Sequence, residues 1–213
     1  MKNILGKAAP NFVEAAVVNG SEFVEEFSLQ QFIGKKNVVF FFYPMDFTFV
    51  CPTELLAFQR HLNDFKKRDT EVVACSIDSK YSHWAWLSTE QNKGGIKGVT
   101  YPLVADLSKT IAMKYGVLAG DYSINAENEL EFKGNPVAYR GLFLIDKKGV
   151  VRHQVINDLP LGRSVAEALR MVDALNFFEE NGEVCPADWE SGKKGLHETA
   201  ASVANYLTLA NSN

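Results

Sequence analysis

The chain has three cysteines, and Cys51 has the most informative surroundings. A thiol becomes a strong nucleophile when it ionises, and the first turn of a helix favours the anion through free N–H groups and the helix dipole. Pro52 directly follows Cys51, and proline is a residue type that suits the first turn of a helix. Taken alone, a cysteine in apolar surroundings is more often an inert core residue, so the neighbouring residues must decide.

The residues around Cys51 argue against three common uses of a cysteine. A thioredoxin-type disulfide exchanger needs a second thiol three residues on, where this chain has Glu54. A cysteine hydrolase needs an oriented histidine base, and a zinc site needs Cys or His ligands at paired spacings. The histidines fit neither pattern: His61, His83, His153 and His197. We therefore expect no metal site.

A strand and a helix are predicted on either side of Cys51. Residues 38–43 form a continuous run of β-branched and aromatic side chains, which is typical of a strand buried on both faces, and Pro44 ends it. Residues 52–68 then carry apolar side chains three or four positions apart, which predicts a helix. Cys51 therefore falls at the N-terminus of this helix.

The rest of the chain alternates between strand and helix patterns. A Lys-Lys-Gly turn at 147–149 predicts a β-hairpin, and Ser164 suits the N-cap of a helix. The further predicted elements are strands over 71–77, 101–104, 142–146 and 150–156, and helices over 82–91, 108–115, 164–178 and 196–209. This order is that of a thioredoxin-like α/β fold. The polar segment 179–213 is predicted to be an extension beyond that domain.

Composition bounds the class of the protein. The 213 residues suit one domain plus an extension, and three cysteines are too few for a disulfide framework. The formal net charge of -4 leaves no excess of positive charge to neutralise phosphates, so nucleic acid is not an expected partner. The longest apolar run, 38–43, is far too short to cross a bilayer. We therefore expect a cytoplasmic protein with no membrane partner.

A spaced signature links Cys51 to upstream residues, in the order Pro44-x-x-x-Thr48-x-x-Cys51. In this signature the chain resembles the peroxiredoxins, and residues 47–54 (Phe-Thr-Phe-Val-Cys-Pro-Thr-Glu) are similar to the typical two-cysteine group, which includes the peroxidase subunit of bacterial alkyl hydroperoxide reductase. Four more segments resemble family segments in order: 9–12, which is similar to the amino-terminal strand, 139–146, 157–164 and 182–187. The resemblance spans roughly residues 4–195.

The resemblance implies a role for each residue of the site. Cys51 would be the peroxidatic thiolate, which attacks the peroxide O–O bond, becomes a sulfenic acid and releases water or an alcohol. Arg140 would stabilise the thiolate, Thr48 would exchange a proton and a hydrogen bond with the peroxide, and Pro44 would shield the sulfur from water. Supporting polar contacts would come from Glu54 and Arg163. The resemblance implies no haem, flavin or metal cofactor.

The resemblance also implies a second thiol and several partners. Cys185, in the polar extension, would be the resolving cysteine and would form an intersubunit disulfide with Cys51 after local unwinding of both segments. Cys75 lies inside an apolar run and is expected to be a packed strand residue. The reductant would be thioredoxin or a flavoprotein disulfide reductase, and the oligomer would be a homodimer, commonly in a ring of five dimers.

The sequence therefore predicts a thioredoxin-like α/β fold with an amino-terminal extension and a carboxy-terminal extension that carries Cys185. The predicted domains are a peroxiredoxin domain over 4–163 and a helix with a resolving-cysteine tail over 164–213. The predicted function is a thiol-dependent peroxidase acting on hydrogen peroxide and alkyl hydroperoxides. Two alternatives stay open: a holdase-type chaperone built from the same oligomer, and a one-cysteine peroxidase reduced directly by a small thiol.

Overall fold

The computed structural model describes residues 3–210, with side chains through residue 208. The chain divides into two compact units, Met1–Val165 and Ala166–Asn213, and each is described by itself. Residues 211–213 of the predicted carboxy-terminal tail lie outside the described residues. Among residues 3–210, no helix combines the length and the apolar character needed to cross a bilayer.

Strands and helices alternate through the first unit and give way to helices in the second. The strands are β1 (Glu14–Val18), β2 (Glu22–Phe27), β3 (Asn37–Phe42), β4 (Thr70–Ser76), β5 (Leu103–Ala105), β6 (Leu118–Ile124), β7 (Leu130–Ala138), β8 (Arg140–Ile145) and β9 (Val151–Asn157). The helices are α1 (Cys51–Arg60), α2 (Leu62–Lys66), α3 (Lys80–Ser88), α4 (Thr110–Tyr115), α5 (Val165–Asn181) and α6 (Ala200–Ala210).

Seven strands form one mixed sheet in the order β2-β1-β5-β4-β3-β8-β9, and β6 pairs with β7 in a separate hairpin. The neighbours β3, β4 and β5 run parallel, because α1 to α3 return the chain between them. Strand β8 is antiparallel to β3, with Phe41 opposite Leu142. The first residue of β8 therefore lies at the end of the sheet where β3 finishes.

The central strand β3 is buried along its whole length, as its uniformly apolar sequence predicts. On one face Phe40 contacts Tyr115, with ring centroids 5.1 Å apart. On the opposite face Phe41 stacks on Phe58 of α1, with centroids 4.3 Å apart. This packing fixes α1 against the strand and brings its first residue, Cys51, to the carboxyl end of β3.

The long helix predicted over 52–68 is interrupted. Helix α1 ends at Arg60, His61 leaves helical geometry with φ -100° and ψ 8°, and the chain resumes as α2. The N–H of His61 is shared between the carbonyls of Ala57 and Phe58, which tightens this turn. An uninterrupted apolar spacing in the sequence does not reveal such a local break.

Two hairpins were not predicted from the sequence. Strands β1 and β2 join through Asn19 and Gly20, both of which have positive φ, and β6 and β7 form a second antiparallel pair. Residues 9–12, similar to a family strand, lie outside any strand, and the Pro10 carbonyl instead accepts a hydrogen bond from the Tyr115 hydroxyl at 3.1 Å. The first strand therefore begins only at Glu14.

Candidate active site

Cys51 is the first residue of α1 and is fully buried, with 0% of its surface exposed. The loop between β3 and α1 leads into it, so the sulfur lies where a central strand gives way to a helix. Its Sγ lies 3.5 Å from Nη1 of Arg140, the first residue of β8. The antiparallel pairing of β3 with β8 is what brings these two residues together.

The Arg140 guanidinium is held in place by two further acceptors. Its Nη1 also donates to Glu54 Oε2 at 2.6 Å, and its Nε donates to the Leu159 carbonyl at 2.6 Å. Only 3% of Arg140 is exposed, so little water screens its charge. A fixed, permanent cation therefore lies beside the Cys51 sulfur.

Glu54 lies one turn after Cys51 on α1 and accepts hydrogen bonds from two arginines. Arg163 donates to it through its backbone N–H and its Nε, both at 2.8 Å, and also donates to the carbonyls of Phe42 and Gly141. Burial by itself would raise the pKa of Glu54, but Arg163 and Arg140 hold that pKa below its ordinary value. Two cations and one anion leave one net positive charge, which a thiolate would neutralise.

Pro44 and Thr48 lie in the loop that precedes Cys51. Pro44 is buried and Thr48 is half-buried, and the Thr48 hydroxyl donates to the Met45 carbonyl at 2.9 Å. With its proton engaged, that hydroxyl keeps its lone pairs available to accept a hydrogen bond. Among the described residues, the direct hydrogen bond to the Cys51 sulfur comes from Arg140 rather than from this loop.

Cys185 belongs to the second unit, between α5 and α6, and its surroundings differ. It is half-buried, and its Sγ donates to the Ala174 carbonyl at 3.5 Å. Burial raises the pKa of Cys185 above its ordinary value, and the nearby cation of Arg170 only partly opposes this effect. Cys75 lies fully buried in β4, which confirms its prediction as a packed strand residue.

A second buried polar cluster was missed in the sequence. Tyr43, Asp46 and His83 bond to one another beside the loop that carries Thr48. The histidine is separated from the other two by nearly forty residues and fits no motif, so no spacing pattern pointed to this contact.

Comparison with known proteins decides the family. The model of the AhpC/TSA family matches residues 5–154, and the model of the C-terminal domain of 1-Cys peroxiredoxin matches residues 174–209. The chain belongs to the AhpC/TSA family. The matched segments include every residue of the signature around Cys51, and Cys185 as well.

Several relatives of this peroxiredoxin match over nearly their whole length. Alkyl hydroperoxide reductase C of Helicobacter pylori is 48% identical over 96% of each chain, and peroxiredoxin-2 of Mus musculus is 45% identical over 97% of this chain and 96% of its own. The structure of reduced Plasmodium vivax 2-Cys peroxiredoxin is 42% identical, covers 97% of this chain and 100% of its own, and has a TM-score of 0.86. The predicted family and thioredoxin-like α/β fold are therefore confirmed, and this peroxiredoxin is a thiol-dependent peroxidase.

Proposed function

We propose that Cys51 is the thiolate that attacks the hydroperoxide. The observation that carries this proposal is the fully buried sulfur 3.5 Å from a guanidinium that Glu54 and the Leu159 carbonyl hold in place. The sulfur forms an S–O bond while the O–O bond breaks, so sulfur is oxidised by two electrons to a sulfenic acid. The hydroxyl proton of the peroxide moves to the leaving oxygen, which departs as water or an alcohol, and the sulfenate left at Cys51 takes up a proton from solvent to become the sulfenic acid.

The neighbouring residues assist this step in different ways. Arg140 stabilises the thiolate and donates a hydrogen bond to the peroxide. The Thr48 hydroxyl oxygen accepts a hydrogen bond from the peroxide O–H, and Pro44 keeps water away from the sulfur. Glu54 and Arg163 act by holding the Arg140 guanidinium in position, as their mutual hydrogen bonds suggest.

Consumption of hydrogen peroxide by the reduced protein tests the role of Cys51. Cys51→Ser removes the nucleophile and is expected to abolish consumption. Cys75→Ala is the matched control, because Cys75 is also buried in the first unit but has no guanidinium beside it, and it should consume peroxide at the wild-type rate. Peroxide consumption that survives in Cys51→Ser would contradict the proposal.

We propose further that Cys185 of the partner subunit resolves the sulfenic acid. The thiolate of Cys185 attacks the Cys51 sulfur, an S–S bond forms as the S–O bond breaks, and the oxygen leaves as hydroxide, which solvent protonates to water. Because Cys51 is fully buried, this reaction requires the first turn of α1 to unwind locally. After one equivalent of peroxide, non-reducing electrophoresis should show a covalent dimer that Cys75→Ala keeps and that Cys51→Ser and Cys185→Ser each lose. A dimer that persists in Cys185→Ser would overturn this pairing.

The substrates and partners follow from the chemistry and from the named relatives. Hydroperoxides are the oxidising substrates, and the disulfide is reduced by thioredoxin or a flavoprotein disulfide reductase; one relative, from Echinococcus granulosus, is named thioredoxin peroxidase and is 44% identical. We place the enzyme in the cytoplasm, with its peroxiredoxin domain over 4–163 and its resolving-cysteine tail over 164–213. No observation on the described residues 3–210 favours the chaperone alternative.

An exposed aromatic surface supports assembly into a homodimer and a ring of five dimers. Phe23, Tyr81 and Trp84 are 44%, 65% and 45% exposed, and the Phe23 ring contacts both others, at 5.8 and 6.4 Å between centroids. Exposed aromatic rings that contact one another are typical of surfaces that bind another chain. Sedimentation of Trp84→Glu compared with wild type tests this assignment: the ring should dissociate into smaller species, and an unchanged sedimentation coefficient would contradict it.

A further inference from the structure

We infer that Asp46 and His83 are positioning residues, which hold the loop before Cys51 so that the Thr48 hydroxyl meets the peroxide. This inference rests on the proposed reaction at Cys51. It concerns side chains that do not touch the sulfur and that act through the loop.

The side chains of Asp46 and His83 form a buried hydrogen bond. His83 is fully buried on α3, its Nδ1 lies 2.9 Å from Asp46 Oδ2, and its Nε2 lies 3.2 Å from the Val104 carbonyl. A carbonyl can only accept, so Nε2 carries a proton, and an ionised Asp46 requires one on Nδ1 as well. Burial would lower the pKa of His83, but the Asp46 carboxylate raises it above its ordinary value.

Two other groups hold Asp46, one at the start of the same loop and one in the segment after β4. The Tyr43 hydroxyl donates to Asp46 Oδ1 at 2.8 Å, so both carboxylate oxygens are engaged. The backbone N–H of Asp46 donates to Asp78 Oδ2 at 2.9 Å, in the segment that follows β4. The loop is therefore fastened at Asp46 through its side chain and its backbone together.

The next loop residue is held by the same helix. Phe47 has a φ of 54°, a conformation that is uncommon and costly for a residue other than glycine. Its ring lies 5.8 Å from that of Trp86, which is one turn after His83 on α3. Helix α3 thus fixes two successive residues of the loop.

Thr48 comes directly after these two anchors. Its hydroxyl donates to the Met45 carbonyl and closes a short turn that has Asp46 and Phe47 inside it. Because both ends of this turn depend on its two inner residues, the position of the Thr48 oxygen depends on the contacts to α3. A shift of the loop would move that oxygen relative to a peroxide at Cys51 without altering the Arg140 contact.

Two substitutions of His83 test the inference as a matched pair. In His83→Asn the amide nitrogen takes the place of Nδ1 and keeps the bond to Asp46. In His83→Gln the amide nitrogen takes the place of Nε2, so it reaches the Val104 carbonyl and the bond from residue 83 to Asp46 is lost. The rate constant for oxidation of Cys51 by hydrogen peroxide, measured by competition with a haem peroxidase, should fall about tenfold in His83→Gln and stay near wild type in His83→Asn. Alkylation of Cys51 by iodoacetamide, which does not use Thr48, should change by less than about twofold in either variant.

A double mutant separates positioning from a general loss of structure. If His83 acts through Thr48, His83→Gln should add less than about twofold to the loss already caused by Thr48→Val. If His83→Gln does not fold, Asp46→Ala should show the same loss of oxidation rate. Asp46→Asn should keep a rate near wild type, because the Asn amide can bond to a neutral His83.

The possible failures are distinguishable. Wild-type protein that does not consume peroxide would overturn the proposed function itself. If the wild type turns over normally, three results would overturn the role of Asp46 and His83 alone. These are a wild-type rate constant in His83→Gln, an equal loss of rate in His83→Asn, and a full tenfold loss of rate when His83→Gln is added to Thr48→Val.

Discussion

The two thiols of the proposed cycle lie in opposite surroundings. Cys51 is fully buried beside a guanidinium and accepts its hydrogen bond, whereas Cys185 is half-buried and donates its own proton to the Ala174 carbonyl. The two thiols therefore differ in hydrogen-bond direction and in neighbouring charge, because a buried cation donates to the Cys51 sulfur and a neutral carbonyl accepts from the Cys185 thiol.

This difference suits the order of the two reactions. In the proposed reaction the thiolate must be ready before the peroxide arrives, and the buried set of Arg140, Arg163 and Glu54 places one net positive charge beside Cys51 in advance. The second thiol is needed only after a sulfenic acid has formed. A protonated Cys185 is protected from peroxide in the interval, because the thiolate is the form that oxidises.

Removing the cation should cause the largest effect. Arg140→Gln deletes the charge beside Cys51 and is expected to lower the rate constant for oxidation by hydrogen peroxide by about 10²- to 10³-fold. The control is Arg152→Gln on the neighbouring strand β9, since Arg152 also pairs with a carboxylate, Asp146, through its Nε at 2.7 Å. Competition kinetics should show wild-type rates in this control. A rate constant in Arg140→Gln within threefold of wild type would show that the charge of Arg140 does not set the reactivity of Cys51.

Removing the second thiol should separate the two reactions. Cys185→Ser is expected to consume one equivalent of peroxide at the wild-type rate, because the Cys51 site is unchanged, yet to lose more than about tenfold of its turnover with thioredoxin. The measurement is a burst experiment followed by steady-state consumption. Full thioredoxin-linked turnover in this variant would favour the one-cysteine alternative instead.

The sequence predicted the central framework because its signals are local. An unbroken apolar run specified β3, the apolar spacing after Pro52 specified α1, and their junction placed Cys51 correctly. Strands β6 and β7 were not predicted because their apolar and polar residues do not alternate regularly. Half of their residues are exposed, so no apolar period indicates a strand. Local periodicity therefore misses a hairpin that has no regular apolar period.

The site was predictable only in part, for a related reason. Glu54 follows Cys51 by three residues, which places both on one side of α1, but its bonds to Arg140 and Arg163 join it to residues 86 and 109 positions away in the sequence. The Asp46–His83 pair has no sequence signal except a carboxylate inside an otherwise apolar and aromatic segment. Such contacts are set by tertiary packing.

The lowered pKa of Glu54 makes a prediction about stability at acid pH. A carboxyl whose pKa is lower when folded stabilises the protein above its unfolded pKa, near 4.3, and this contribution is lost as the pH falls through the folded value. Between pH 6 and pH 3, wild type should lose on the order of 1 kcal/mol more unfolding free energy than Glu54→Gln. Urea unfolding across this range gives the comparison, with Glu167→Gln, an exposed carboxylate, as the control. Equal pH slopes in wild type and Glu54→Gln would mean that the two arginines do not hold Glu54 ionised.

The smallest expected effect concerns the second thiol. Arg170 partly offsets the effect of burial on the pKa of Cys185, so Arg170→Gln should raise that pKa further and leave less thiolate at pH 7. Disulfide formation, followed by acid quench and non-reducing electrophoresis, should slow by about twofold, since less thiolate is available to attack the sulfenic acid. The difference in the rate of disulfide formation should shrink as the pH approaches the pKa of Cys185, whereas the rate of Cys51 oxidation should be unchanged.

The control is Glu167→Gln, which keeps the Arg170 guanidinium and its bond to the Trp189 carbonyl. This variant should form the disulfide at the wild-type rate. A deficit that persisted undiminished at alkaline pH would point to a structural effect of Arg170, and the contrast between the two thiols would then rest on burial alone.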